Sequence, residues 1–218
     1  KSLHASVKAW YARPQDSVEM KVDGYVVDIV RDDDLLVEIQ TRSFAPLKRK
    51  LGDLTQTRSV RLVHPIPTEK WIVKVDDAGE VVSRRKSPKR GSALDVFGEL
   101  VSFPELVAHP NLTLELVLTR EDEVRRFDGT KAWRRKGWVV EERRLLEVVD
   151  LVVIESPAAL GGFLPSDLQP EFTTAEIAGI LRCSRRLAQQ VAYCLRKADV
   201  IESVGKSGNA IVYARVSD

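Results

Sequence analysis

The chain has 218 residues, 44% of them hydrophobic, enough for one large packed core or two smaller ones. Its 34 Lys and Arg against 32 Asp and Glu leave a net charge of only +2, which excludes a global field as the source of any nucleic-acid preference; local clusters must supply it. The two cysteines, Cys183 and Cys194, argue against a disulfide framework or a zinc cluster, and without an apolar run of about 18 residues or a signal-peptide pattern a reduced, cytoplasmic protein with no membrane partner is expected.

Leu3, Val7, Trp10 and Tyr11 recur at helical spacing and predict a helix over 3–12, closed by Arg13-Pro14. Val22 to Val30 is a nearly continuous β-branched run with a local turn at Asp23-Gly24, and Leu35 to Ile39 is a second apolar run. The polar segment 31–34 between them predicts a hairpin, and a turn centred on Asp33 sets Asp28 opposite Glu38. Glu38 and Gln40 share one face of their strand while Ile39 packs on the other. An acid inside each of two apolar strands is costly without a partner or a cation, so either a bound Mg²⁺ relieves both or a sheet edge displays them to water. Glu19 fits a metal-ligand or water-positioning role, or an ordinary charged residue leading into a strand. A basic helix is expected over Pro46 to Leu54, with Leu47, Leu51 and Leu54 on one face and Lys48, Arg49 and Lys50 nearby. Strands are expected over Val60 to Ile66 and Lys70 to Val75, separated by a turn at Pro65-Ile66-Pro67, which makes an α/β core.

This order resembles the core of the PD-(D/E)XK, or restriction-endonuclease-like, nucleases over roughly residues 1–75. Glu19 matches the family's acid near the first helix, Asp28 its strand-end aspartate, and Glu38-Ile39-Gln40 its Glu-x-Lys. The family's lysine is Gln40 here, and no proline precedes Asp28; Lys48 or Lys50 on the following helix is the candidate to restore the positive charge. The resemblance implies a restriction-endonuclease-like mixed sheet with flanking helices. It further implies catalytic roles for Glu19, Asp28, Glu38, Gln40 and Lys48, and Mg²⁺ or Mn²⁺ held by Asp28, Glu38 and the carbonyl of Ile39.

Arg84, Arg85, Lys86, Lys89 and Arg90 form a basic loop suited to a phosphate backbone, or simply a solvated loop. A core helix is expected from Ala93, broken near Phe103-Pro104, and then a strand over Leu112 to Leu118 whose leucines share one face. In the second basic segment Lys131, Trp133, Arg134, Arg135 and Lys136 precede Trp138; the tryptophans either stack on exposed bases or pack while their charged neighbours reach outward. A strand over Leu145 to Ile154 leads to a Gly161-Gly162 linker.

Near the C-terminus, Thr173 with Glu176 fits a capping box, Arg182-Cys183 makes a turn, and Ser184 caps a second helix running to Lys197. Strands over 200–204 and 210–216 flank a Gly-rich loop at 205–209. Residues 170–216 look like a winged helix-turn-helix, which implies DNA reading by Arg185, Arg186, Gln189 and Gln190 with Lys206 in the wing, although some such modules mediate protein contacts. The expected organisation is a nuclease-like α/β domain with basic insertions over 1–158 and a small α+β winged-helix domain over 168–218. The expected function is metal-dependent DNA endonuclease activity, structure-selective, with DNA as partner and a homodimer as the assembly that cuts both strands. The alternatives are a non-catalytic DNA-binding protein with a degenerate nuclease core and an adaptor in a repair or defence assembly.

Overall fold

The computed structural model describes residues 2–216; the outermost positions of the two expected units, 1 and 217–218, lie outside the described residues. The chain adopts a mixed α/β fold whose central seven-stranded mixed sheet carries helices on its faces. Helix α1 (Leu3–Tyr11) buries Leu3, Val7 and Tyr11 at four-residue spacing, with Ser2 accepting a bond from the Ala5 amide at its start. The apolar run after it divides into β1 (Ser17–Val22) and β2 (Tyr25–Val30), because Asp23 (φ 47°) and Gly24 (φ 87°) supply the two positive φ angles of a tight hairpin turn. The acids at 32–34 then turn the chain into β3 (Leu36–Ile39), which pairs antiparallel with β2. Helix α2 (Lys48–Leu54) follows a 3₁₀ turn at Ala45–Leu47 and carries the crossover that lets β3 run parallel to its next neighbour.

That neighbour corrects the sequence expectation of two strands. Strand β4 (Val60–Val75) is continuous through Pro65-Ile66-Pro67. The carbonyls of Val63 and Pro67 bond to Gln40 and Gly91, on the side away from β6. Pro65 lies between them with the same alternation, in the gap after β3 ends and before β5 begins, where a missing N–H leaves no ladder bond unmade. Strand β5 (Val81–Lys86) pairs with the far half of β4, so Arg84, Arg85 and Lys86 lie on a strand rather than in the expected loop. Strands β6 (Leu112–Phe127) and β7 (Trp138–Ile154) are longer than predicted and pair along most of their length. Past the end of β3, the far parts of β4, β6 and β7 with β5 continue as an arm.

The helix expected from Ala93 is a 3₁₀ turn at Ala93–Val96, a short α3 (Phe97–Leu100) and a second 3₁₀ turn at Leu106–Ala108; Phe103-Pro104 interrupts it. On β6, Leu112, Leu114 and Leu116 enter the core shared with α2 and α3, while Val117 joins Ile29, Val37, Ile39 and Val63 under α1.

Downstream, α4 (Pro157–Gly161), β8 (Glu171–Thr173), α5 (Thr174–Ile180), α6 (Arg185–Lys197), β9 (Ile201–Ser207) and β10 (Ala210–Arg215) build a three-stranded sheet of order β8-β10-β9 with its helices. Thr173 and Glu176 form the reciprocal capping box, Arg182 turns with φ 50°, and Ser184 caps α6. The wing turn is tighter than expected: Ser207 pairs with Ala210, so Gly205 to Ser207 belong to β9 and the turn is Gly208-Asn209. This part shares the main core. Val191, Cys194 and Leu195 pack in the same cluster as Phe97 and Leu100, and Lys197 reaches Glu105 at 2.7 Å. No helix among the described residues is long and apolar enough to cross a membrane.

Candidate functional site

Strand register brings the three sequence-selected acids into one row. The pairs Val18↔Ile29 and Met20↔Val27 bracket Glu19 and Asp28, and the register Ile29↔Val37, Val30↔Leu36 sets Glu38 against Asp28 at its next step. Glu19 adopts φ 54°, a local distortion of β1 at the level of Asp28. The hairpin arithmetic therefore holds for the pair, and a second hairpin adds Glu19.

Helices on both sides of the sheet deliver lysines to this row. Lys8 of α1 donates to Glu19 Oε1 at 2.8 Å and to Asp28 Oδ1 at 3.0 Å, and His4, one turn earlier, lies 3.1 Å from Asp28 Oδ2. The amide of Ile39 donates to Asp28 Oδ2 at 2.9 Å, so the contact Ile39 makes with this group is through its N–H. Lys50 of α2 donates to Glu38 Oε2 at 2.5 Å and to the carbonyl of Val26 at 2.6 Å, tying β3 to β2.

The two central carboxyls are driven apart in acidity. Burial pushes Asp28 up, but the Ile39 amide, Lys8 and His4 outweigh it and hold the group below its ordinary range. For Glu38 burial is the larger influence and raises it despite Lys50, with the neighbouring Asp28 charge adding to the rise. One acid is thus firmly ionised while its neighbour holds its proton more tightly.

Gln40 lies just past the end of β3, and its side-chain amide donates to the Ser43 carbonyl at 2.9 Å. Its main-chain carbonyl is held by His64 Nδ1 at 2.5 Å; since a carbonyl only accepts, Nδ1 carries the hydrogen, and burial lowers the pKa of this imidazole. Lys48 is not at the acids. It lines a cleft of about 530 Å³ with Gly52, Phe103, Glu105 and His109, and Lys50, one turn-fraction further along α2, takes the contact with Glu38 instead. His4 and Lys8 went unselected in the sequence, although their spacing of four places them on one stripe of α1. Beside His4 opens a hollow of about 410 Å³ that Thr41, Arg42 and Arg143 also line; Arg143 is braced by Glu121, which is fully buried, at 2.7 Å. No group of three or more His, Cys, Asp or Glu that could hold a metal occurs among the described residues.

The basic residues separate by partnering. Arg84 pairs with Asp122 at 2.9 Å and Lys86 with Glu69 at 2.7 Å, both beside the Trp71 ring, and Arg90 lies 3.9 Å from Glu69. Arg85 and Lys89 make no ion pair among the described residues. At the β6–β7 tip Trp133 is 80% exposed, whereas Trp138 packs edge-on to Phe127 beneath the Lys74 ammonium. Lys131 leans on Asp128 at 3.7 Å, while Arg135 and Lys136 stand exposed. On α6, Arg185, Arg186 and Gln189 are exposed, with Arg185 and Gln189 lining a hollow against the wing; Gln190 is half-buried and lies toward Gly98 of α3. Lys206 is exposed on β9.

A mixed α/β protein with a half-buried acid–lysine row is the class these observations define. The chain belongs to the family described as Domain of unknown function (DUF8091), which matches residues 1–155 and ends just before Ser156, the cap of α4. It is similar to a protein of Treponema pallidum (strain Nichols) described as "Uncharacterized protein", 27% identical over 176 residues that cover 81% of this chain and 70% of that one. That similarity is longer than the family match and so runs into the C-terminal part. No solved structure matches the chain.

Proposed function

We propose that the chain is a metal-dependent DNA endonuclease with a restriction-endonuclease-like core and a winged-helix DNA reader. The observation that carries this is the row of Glu19, Asp28 and Glu38 across β1, β2 and β3, with Lys50 entering from α2 where Gln40 lacks the family's positive charge. The element order supports it: a helix, three antiparallel strands, a helix and a parallel strand. The order α4-β8-α5-α6-β9-β10 and the exposed Arg185 and Arg186 support the winged-helix assignment.

The donors suit a hard cation. Asp28 and Glu38 offer carboxylate oxygens, and Mg²⁺ is commonly bound through one or two carboxylates with retained water and substrate phosphate, so a third protein acid is not required. Bound there, Mg²⁺ or Mn²⁺ would supply Lewis-acid stabilisation of phosphoryl oxygens and a more acidic water. The chain's own residues do the rest: Ile39 and Lys8 hold Asp28 ionised and Lys50 offers an ammonium beside Glu38. DNA is the proposed partner, in a cytoplasmic setting, and a homodimer is the proposed assembly for double-strand cutting.

A second reading, a DNA-binding protein with a silent core, is favoured by one observation: Gln40 spends its amide on the Ser43 carbonyl. The test incubates duplex, single-stranded, flapped and branched DNA with Mg²⁺ or Mn²⁺ and either the natural chain or an Asp28→Ala/Glu38→Ala variant. Cleavage by the natural chain alone is expected. Equal, metal-independent background from both overturns the enzymatic reading and leaves the silent core.

A further inference from the structure

The tip joining β6 to β7 is built to present one aromatic ring. Asp128 anchors it: its Oδ1 accepts from the Thr130 amide at 3.3 Å, the Thr130 hydroxyl at 2.5 Å and the Lys131 amide at 3.0 Å, while its own N–H donates to the Gly137 carbonyl at 2.9 Å. The Thr130 hydroxyl, first among these, lowers the Asp128 pKa, so the anchor is a firm carboxylate. Ala132 (φ 56°) and Lys136 (φ 54°) bracket a 3₁₀ turn at Trp133–Arg135, closed by Arg135 N–H to the Ala132 carbonyl at 2.7 Å. Beneath it Phe127 lies against Gly129 and Gly137, where any side chain at 137 would collide with the ring, and meets Trp138 edge-on at 5.6 Å. The base of the tip is therefore braced, although Phe127 is itself 55% exposed, and Trp133 takes no part in its contacts and is 80% exposed.

An ordered loop that leaves its largest apolar group in water has forgone burial worth having, which marks Trp133 as a contact residue. Its surroundings select the occupant. The Arg134 guanidinium lies 5.2 Å from the ring centroid, covering one face and leaving the other open, while Lys131, Arg135 and Lys136 flank it. A single planar face amid cations matches a nucleobase carried on a phosphate backbone: the base stacks and the cations take the phosphates. A lipid surface would call for a broad apolar face, which Trp133 and the half-exposed Phe127 among four cations do not provide. Within an intact duplex both faces of each base are already stacked, so the open ring face calls for an unpaired or terminal nucleotide.

We infer that Trp133, backed by Arg134, is a stacking platform for an unpaired nucleobase, and that the nucleic acid this chain takes contains single-stranded or unstacked nucleotides. The inference rests on the nucleic-acid part of the function proposed above and not on cleavage.

The test measures binding of the full chain, in chelator and without added metal, to a labelled single-stranded oligonucleotide, the matching blunt duplex and phosphatidylserine vesicles. Trp133→Ala is expected to weaken single-strand binding roughly ten- to hundredfold while changing duplex binding less than about twofold, and Trp133→Phe to restore most of the loss. Replacing one base by 2-aminopurine should give quenching in the natural chain that disappears in Trp133→Ala. Equal affinities of the natural chain and Trp133→Ala for the single strand overturn the platform while leaving DNA binding intact. A natural chain that binds neither DNA sinks both proposals, and Trp133-dependent vesicle binding without single-strand binding replaces the nucleobase with a lipid surface. Binding and quenching as expected without any cleavage support the platform even where the nuclease reading fails.

Discussion

The acidic row and the outer pairs of the basic arm hold charge in different ways. In the row, each half-buried carboxylate is met by a lysine sent from a separate helix, Lys8 to Asp28 and Lys50 to Glu38, so the charges are drawn partly out of water. Along the arm, Glu121 and Glu123 are buried against Arg143, Lys70 and Arg125, while the outer charges pair at the surface, as in Arg84–Asp122, Lys86–Glu69 and Arg126–Glu141. Such exposed pairs are worth little in stability, but they also remove cations from the pool that can release counterions from DNA. A count of lysines and arginines thus overstates the arm, and Arg85, Lys89 and the tip's Arg134, Arg135 and Lys136, which make no ion pair among the described residues, are where a phosphate would be felt.

The strongest way to break the comparison is to empty the row. Glu38→Ala or Asp28→Ala should lower cleavage at least about a hundred- to thousandfold, the range lost with one electrostatic group of a catalytic site, while DNA affinity measured in chelator stays within about twofold. Parallel losses in binding and cleavage would instead make the row a structural feature.

Next in size is a change in folding. Lys50→Ala leaves Glu38 buried without its cation and should cost about 3 kcal/mol in urea unfolding. Adding Glu38→Gln should recover much of that, because the destabilising element is the orphaned charge rather than the lost contact. An unaltered midpoint for Lys50→Ala would mean that Glu38 is solvated or protonated in the native protein.

Acidity distinguishes the row's two members. Glu38 has a raised folded pKa, so protonating it favours the fold: its contribution to stability grows as pH falls through that raised value and levels off below the ordinary glutamate value of 4.5. Asp28 has a lowered one, so its contribution is full above the ordinary aspartate value of 3.8 and is lost as pH falls through its depressed value. Stability against pH should therefore flatten in the upper window in Glu38→Gln and in the lower window in Asp28→Asn. Cleavage should fall first with Glu38, on the acid side above 4.5, since a protonated carboxyl is a poor cation ligand. A profile in which Asp28→Asn flattens the upper window would reverse the assignment.

The Asp28–Glu38 alignment was legible because hairpin register is arithmetic: a turn centred on Asp33 and a two-residue repeat set their level without tertiary information. Lys50 against Lys48 was not, because neighbours on a helix differ by about 100° in direction and only the docking angle of α2 decides which meets β3. The continuity of β4 was not legible because the sequence shows the absent N–H groups but not that Pro65 and Pro67 fall between the stretches of that edge paired with β3 and β5. Gln190, chosen from helix position, turns toward Gly98 because α6 packs on α3, a contact no local pattern contains.

The smallest effect sharpens the arm. Arg85→Gln with Lys89→Gln should reduce the slope of log affinity against log salt for duplex DNA by about 2, roughly one per phosphate-contacting cation. Arg84→Gln with Lys86→Gln removes the same formal charge, yet those side chains already meet Asp122 and Glu69 beside Trp71, so it should change the slope by less than about half as much. Equal slopes for the two double variants would show that Asp122 and Glu69 release their arginine and lysine to phosphate when DNA arrives. The arm's surface pairs would then be a reserve of cations rather than a cancelled charge, and their distinction from the half-buried row would rest on exposure alone.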